Sequence, residues 1–273
     1  MFEIFMQRWG LDADGEPIVT PISALLPVRS GRQPAMLKIL MNDEERAGSD
    51  LLAWWDGHGC VRVLNRANDA VLLERATGQR SLLAMAMSGR DDDATRIICE
   101  AASVLHTPRA KPPPSSLVPL DRWFAPLLQF AAGRRDIFQR AAECAERLLS
   151  TPREVTVLHG DLHHGNVLDG GSRGWLAIDP KGLIGERTFD FVNILRNPLG
   201  CFGNDPLRLA RQVDVIARAA TLDTARLLDW TIAFCGLSAV WNLESPEQSE
   251  SARREAHDDQ ALLRAATTLR EQM

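Results

Sequence analysis

The chain has 273 residues, 45% of them hydrophobic and 25% charged, and a net charge of −5. Such a balance gives one large domain or two small ones with a sizeable core, and excludes a disordered, collagen-like or disulfide-stapled polypeptide. The longest apolar run, Leu82 to Met87, is far too short for a bilayer span, and the acidic balance disfavours nucleic-acid binding.

In chain order, Pro34 to Leu40 reads as a strand after a turn at Arg29 to Arg32. A helical pattern begins at Asn42, with Ala47, Leu51, Leu52 and Trp55 on one face, and stops at Asp56 and Gly57. Val61 to Leu64 and Ala70 to Leu73 read as two further strands. Past Glu74 the pattern turns helical. Asp91 to Asp93 charge the start of a periodic segment with Ala94, Ile97, Ile98, Ala101, Val104 and Leu105 on one side, and His106 at its end suits the helix dipole. Thr107 to Pro119 holds five prolines and reads as a loop. Helices are expected to about Ser150, then a β-rich insertion from Val155 to Asp179, then helices at Asp205–Ala220, Asp223–Val240 and the carboxyl terminus. The uncharged stretch Trp230 to Leu243 reads as a buried helix. Trp230 and Trp241, eleven apart, share a face that fits core packing or a pocket wall.

The expected architecture is α+β, with a small mixed lobe over residues 1–76 and a larger, mainly helical lobe over residues 77–273. The first ten residues have neither the basic start nor the apolar core of a secretory leader, so a soluble, cytoplasmic protein without a membrane partner is expected. Cys60, Cys99, Cys144, Cys201 and Cys235 are scattered and never spaced C-x-x-C, which suggests reduced thiols. Only three of the 31 basic residues are lysines: Lys38, Lys111 and Lys181. An ammonium is a compact point charge where a guanidinium is a planar fork, so a retained lysine is a candidate for work an arginine cannot do.

The chemistry concentrates between Val157 and Asp179. His159, Asp161, Leu162 and Asn166 fit H-x-D-L-x-x-x-N, with the Asp and Asn five positions apart. Phosphoryl transfer uses such a pair: a carboxylate to orient the acceptor hydroxyl and take its proton, and a neutral oxygen to hold magnesium on the phosphates. Thirteen residues on, a strand returning through a Gly-rich turn delivers Asp179 as a second metal carboxylate. A metal cluster of His159, Asp161, His163 and His164, and a purely structural turn with exposed histidines, are the rival readings. No G-x-x-x-x-G-K-[ST] occurs, which removes a P-loop.

The run HGDLHHGNVLDGGSRGWLAIDPKGLIGER resembles the aminoglycoside phosphotransferase family, kinases of small antibiotics on the protein-kinase-like fold. The early LLPVR and PAMLK segments, EERAGSDLLAWWDG and the late GLSAVW are similar to its streptomycin 6-phosphotransferase and hydroxyurea kinase subgroup. The resemblance covers nearly the whole chain. It implies ATP or GTP and Mg as cofactors, Asp161 as the catalytic base, and Asn166 and Asp179 as metal ligands. Lys38 would contact the nucleotide phosphates and Glu45, or its neighbour Glu44, would hold it, although Glu45 also fits a capping box with Asn42. Glu74 and Ala76 would occupy the adenine-binding hinge, and Asp190 would brace the catalytic loop. The implied substrate is streptomycin, a cationic antibiotic, at its 6-hydroxyl. The implied consequence is antibiotic resistance, with no obligate protein partner. Glu186, Asp205, Glu244, Glu247, Asp258 and Asp259 are candidate carboxylates for its guanidinium groups. A kinase of hydroxyurea or another metabolite, and a catalytically silent binding module, are the alternatives.

Overall fold

The computed structural model describes every residue except 21–22, 201–204 and 246–248. Helix α1 (Glu3–Trp9) is followed by strands β1 (Leu11–Ala13), β2 (Ile18–Val19), β3 (Ser23–Ser30) and β4 (Gln33–Leu40). Helix α2 (Asp43–Trp55) and strands β5 (Val63–Ala67) and β6 (Ala70–Glu74) complete the amino-terminal part. The strands form one antiparallel sheet in the order β1-β3-β4-β6-β5, with β2 on β3. Side chains alternate along a strand. Ala35, Leu37 and Ile39 of β4 therefore pack with Ala24, Leu26, Val28 and Leu72 under Phe2, Phe5, Met6 and Trp9 of α1. Met36, Lys38 and Leu40 face the other way.

The expectation of a single helix before residue 74 is corrected by α1. Its apolar residues Phe2, Phe5, Met6 and Trp9 follow helical spacing, and they cover a sheet face that would otherwise meet water.

An extended linker at 75–81 leads to α3 (Leu82–Met85) and α4 (Asp91–Leu105). Three further helices follow, α5 (Leu120–Trp123), α6 (Ala125–Ala131) and α7 (Ile137–Ser150), and β7 (Val118–Pro119) precedes them. Next come β8 (Val155–Leu158), the hairpin of β9 (Val167–Asp169) and β10 (Trp175–Ala177), and β11 (Leu183–Glu186). The β-rich segment thus runs past Asp179. Leu158 pairs with Leu183 in an antiparallel β8–β11 ladder, and glycines at 182 and 185 weaken any helix there. Helices α8 (Val192–Arg196), α9 (Pro206–Ala220), α10 (Thr224–Glu244) and α11 (Glu250–Glu271) finish the chain. Of the uncharged stretch Trp230 to Leu243 in α10, Trp230 to Val240 are buried as expected, whereas Trp241 and Leu243 are 36% and 39% exposed. Among the described residues no helix is long and apolar enough to cross a membrane. Cys60, Cys99, Cys144 and Cys235 are free and buried; Cys201 lies outside the described residues.

The two parts are joined tightly. Arg80 in the linker donates three hydrogen bonds to the Asp169 carboxylate of β9, two from its guanidinium at 2.9 and 2.7 Å and one from its backbone N–H at 3.0 Å, and Gly78 donates its N–H to the Asp169 carbonyl at 2.8 Å. Val61 and Ala177 are hydrogen-bonded through their backbones, so the loop before β5 extends the β9–β10 hairpin. Helix α2 lies directly on residues 180–182. A Cβ at Gly48 would overlap the carbonyl oxygen of Pro180, and one at Gly182, where φ is 68°, would press on the backbone of Ala47. Overpacking of this kind costs about 1–3 kcal/mol. Gly48→Ala is expected to lower the melting temperature by several degrees; a calorimetric midpoint equal to that of the unmodified chain would contradict this contact.

Candidate active site

Strand alternation directs Lys38 into a cavity of about 920 Å³ between the sheet and the β9–β10 hairpin. Its ammonium pairs with both Glu45 and Asp179. Asn42 caps α2 by accepting the Glu45 N–H at 2.9 Å, but the Glu45 carboxylate turns to Lys38 rather than back to Asn42. Only half of the capping box forms. Burial raises the Glu45 carboxyl above its ordinary value against the pull of Lys38, whereas at Asp179 the ammonium outweighs burial and holds the carboxyl low.

Asp179 follows β10 with φ 59°, in the left-handed region that Asp tolerates better than most residues. The Ile178 N–H donates to the Asn166 carbonyl at 2.9 Å, which seats Asn166 beside the Asp179 turn. Leu25, Met36, Leu52, Val71, Leu168 and Ile178 give the cavity apolar walls. Glu74, Arg75 and Ala76 line its edge. The Glu74 carboxylate itself accepts the Arg62 N–H at 3.0 Å and pairs with Arg173, so its side chain braces the sheet.

The loop from His159 to Asn166 connects β8 to β9. Asp190, fully buried, accepts the N–H groups of His159 and Gly160 at 2.9 and 2.6 Å and bonds His106 Nε2 at 2.7 Å. The His159 ring accepts the Asp161 N–H at Nδ1 (3.2 Å) and bonds the Ile178 carbonyl through Nε2 (2.9 Å). Burial drives its pKa down to about 4, so it acts as a neutral strut.

Asp161 Oδ1 accepts a hydrogen bond of 2.8 Å from Asn193, and Oδ2 one of 3.2 Å from Asn166. Burial pushes the Asp161 carboxyl up to about 7, with Lys181 and Arg196 opposing and Asp179 and Glu44 adding to the rise. Asn193 was not singled out from sequence. It lies three residues after Asp190, one helical turn on, and that spacing was the available signal.

Asp161 opens into a second pocket of about 440 Å³, which adjoins the large cavity; Asn242 and Glu255 line both. Trp123 and Trp241 meet edge to face at 5.1 Å on its wall. Glu44, Lys181 and Arg196 complete its charged lining. Of the two tryptophans read as sharing a face of one helix, Trp241 walls the pocket, whereas Trp230 is core: it is 1% exposed and donates to Glu186 at 2.9 Å.

The carboxylates expected to face a cationic acceptor are elsewhere. Glu186 is buried against Arg226, Asp205 caps α9, and Asp259 is bonded to Arg196 at 2.5 Å. Glu244 and Asp258 do not line the pocket, and Glu247 lies outside the described residues. Glu255, on α11, takes that position instead.

A divalent metal fits the donor set. Asn166 commits its amide nitrogen to Asp161, which leaves Oδ1 as a neutral oxygen ligand, and Asp179 presents a half-exposed carboxylate in the cavity. Two protein oxygens suit magnesium, which keeps water and phosphate in its shell. The histidine-cluster reading does not survive. His164 turns to Asp91 at 3.8 Å, away from His159, and among the described residues no three His, Cys, Asp or Glu side chains gather to hold a metal.

The sequence pattern of the aminoglycoside/hydroxyurea antibiotic resistance kinase family matches residues 8–246. A streptomycin 3''-kinase of Klebsiella pneumoniae is 50% identical over 241 residues, spanning 86% of this chain and 90% of that protein. A streptomycin 6-kinase of Streptomyces glaucescens is 32% identical over 261 residues, spanning 89% and 82%. Among solved structures, an aminoglycoside phosphotransferase in ternary complex with ADP and hygromycin B superposes with a TM-score of 0.64 at 12% identity. That match covers 96% of this chain and 97% of that one, and shows the shared protein-kinase-like fold.

Proposed function

The chain belongs to the aminoglycoside/hydroxyurea antibiotic resistance kinase family, and from that premise we propose that it transfers the γ-phosphoryl group of ATP or GTP to a hydroxyl of streptomycin. The observation that carries the reading is the junction of the two cavities. A Lys38–Glu45–Asp179 cluster lies on one side, and Asp161, held by Asn193 and Asn166, on the other.

In this reading residues 1–76 bind the nucleotide and residues 77–273 carry catalysis and the acceptor. Asp161 orients the acceptor hydroxyl and takes its proton as the oxygen attacks phosphorus; the bond to the nucleoside diphosphate breaks and its electron pair leaves with that oxygen. Lys38 holds the nucleotide phosphates, and backbone at Glu74 to Ala76 meets the base. Asn166 Oδ1 and Asp179 would hold Mg²⁺, which neutralises developing phosphate charge when bound. Asp190 keeps the loop in shape. Phosphorylation adds about −1.5 to −2 charges beside the drug's cationic groups, which opposes binding to anionic RNA and accounts for resistance.

Two readings of the acceptor position have support. The sequence resemblance and the Streptomyces glaucescens relative favour the 6-hydroxyl, whereas the 50% identical relative favours the 3''-hydroxyl. Incubation with nucleotide, Mg²⁺ and streptomycin, followed by phosphorus–proton correlation spectroscopy of the product, distinguishes them. Hydroxyurea serves as the parallel acceptor, because the family description includes it. A product with no new phosphate on either compound, and no protection of cells expressing the chain, would overturn the proposal in favour of another acceptor or a silent module.

The pocket chemistry supports a cationic acceptor. Glu255 is 39% exposed and bonds only one nitrogen of Arg196, at 3.3 Å, so it has acceptor capacity to offer a guanidinium. A charge-assisted hydrogen bond contributes about 1.5–3 kcal/mol. Glu255→Gln is expected to raise KM for streptomycin by about tenfold while kcat and the nucleotide KM stay within a fewfold. A kinetic series in streptomycin checks this, and an unchanged KM would remove Glu255 from the acceptor site.

A further inference from the structure

We propose that Lys181 is a catalytic residue, its ammonium group meeting the phosphoryl group as it crosses from nucleotide to acceptor. The inference rests on the phosphoryl-transfer reading and is independent of which acceptor is used.

Lys181 stands two residues beyond Asp179, and its backbone N–H donates to the His159 carbonyl at 2.7 Å, which ties it to the catalytic loop. Its side chain is 20% exposed and lines the pocket into which Asp161 opens. Nζ lies 3.0 Å from Glu44 Oε1 and 4.0 Å from Asp161 Oδ2. The first distance is a hydrogen bond and the second is too long for one. An ammonium has three donors, so Glu44 anchors the group while further N–H bonds remain for the space in front of Asp161.

That space is where phosphorus must pass if Asp161 holds the attacking oxygen. Lys38 is committed to Glu45 and Asp179 on the nucleotide side. Four carboxylates, Glu44, Glu45, Asp161 and Asp179, surround the path, and three equatorial oxygens of the moving group add negative charge to it. Lys181 supplies the compensating cation on the acceptor side. In a chain with only three lysines, two stand in this cleft. A compact ammonium fits between two carboxylates where a planar guanidinium would not.

Lys181 neither gives nor takes a proton in the step. The acceptor oxygen forms its bond to phosphorus, the bond from phosphorus to the leaving oxygen breaks with its electron pair, and the acceptor proton passes to Asp161.

The test compares Lys181→Met, Lys181→Arg and Glu44→Gln in the full chain. Transfer to streptomycin, slow transfer to water without acceptor, and thermal stabilisation by ADP with Mg²⁺ are each measured. Lys181→Met is expected to lower kcat by about 10²–10³ in both transfers, the range for removing one preorganised charge-stabilising donor. Both KM values should stay within threefold, with stabilisation by ADP unchanged. Lys181→Arg should recover about tenfold, and Glu44→Gln should lose less than tenfold.

A Lys181→Met variant that retains kcat within fivefold overturns the proposal. So does an equal loss in Glu44→Gln, because Lys181 would then serve only to tether α2. If the unmodified chain hydrolyses nucleotide but leaves streptomycin untouched, the acceptor reading fails while the hydrolysis series still decides on Lys181. If it transfers to neither, both proposals fall.

Discussion

Asp161→Ala is expected to reduce kcat by about 10²–10⁴, the contribution of a positioned general base, while nucleotide binding survives. The separation follows from where the side chain opens. Asp161 lines the smaller pocket beside Trp123, Trp241 and Glu255, whereas the large cavity is lined by Lys38, Glu45 and Asp179. Removing the carboxylate frees the Asn193 amide, leaves the Asn166 amide on the backbone carbonyl of residue 161, and leaves the Lys38 cluster untouched. Steady-state turnover, paired with a melting-temperature shift on adding ADP and Mg²⁺, checks both halves. Turnover above a tenth of the unmodified rate would contradict the role. The pH dependence adds a sign. Burial, partly offset by Lys181 and Arg196, brings Asp161 to about 7, and a cation bound nearby lowers a carboxyl. The base form is present above its pKa and is lost as pH falls, so the acid limb of kcat/KM should lie at or below pH 7.

Asp190→Ala is expected to give the largest loss of stability of any single substitution in the loop. The carboxylate is fully buried and accepts from His159 N, Gly160 N and His106 Nε2. Its removal leaves buried donors without acceptors, and breaking a buried charged network costs about 3–5 kcal/mol. For a chain of this size the melting temperature should fall by roughly ten degrees. Turnover should fall with it, because the backbone of residues 159–160 sets the direction of Asp161. Calorimetry and kcat measured below the new midpoint check the two effects. A variant equal to the unmodified chain in both would remove Asp190 as the anchor.

What the sequence exposes and what it conceals follow a physical line. Local pattern was enough where one element sets the answer. The strand legible at 34–40 carries Lys38, the Asn42 cap starts α2, and Trp230 to Val240 of the uncharged run in α10 are buried. The segment 159–179 keeps its oxygen donors together because a hairpin joins them. Legibility ended where the partners are distant in sequence. Glu255 reaches the pocket only because α11 folds back over α10, so nothing near residue 255 distinguishes it from the other surface-type acids of that helix. The same holds for Glu186, which looked available and is instead locked by Arg226 and Trp230. Trp123 meets Trp241 across more than a hundred residues. Helix α1 was within reach, but its short apolar face makes sense only once the sheet beneath it is known.

The glycines at 48 and 182 leave no side-chain layer between helix α2 and the strand of chain that follows Asp179. Switchable relatives of this architecture regulate themselves by moving the equivalent helix, which makes and breaks the lysine–glutamate pair. Here backbone rests on backbone, and swinging the helix outward would strip both surfaces at once. The two adjoining cavities, which share Asn242 and Glu255, are the space a bound compound would fill.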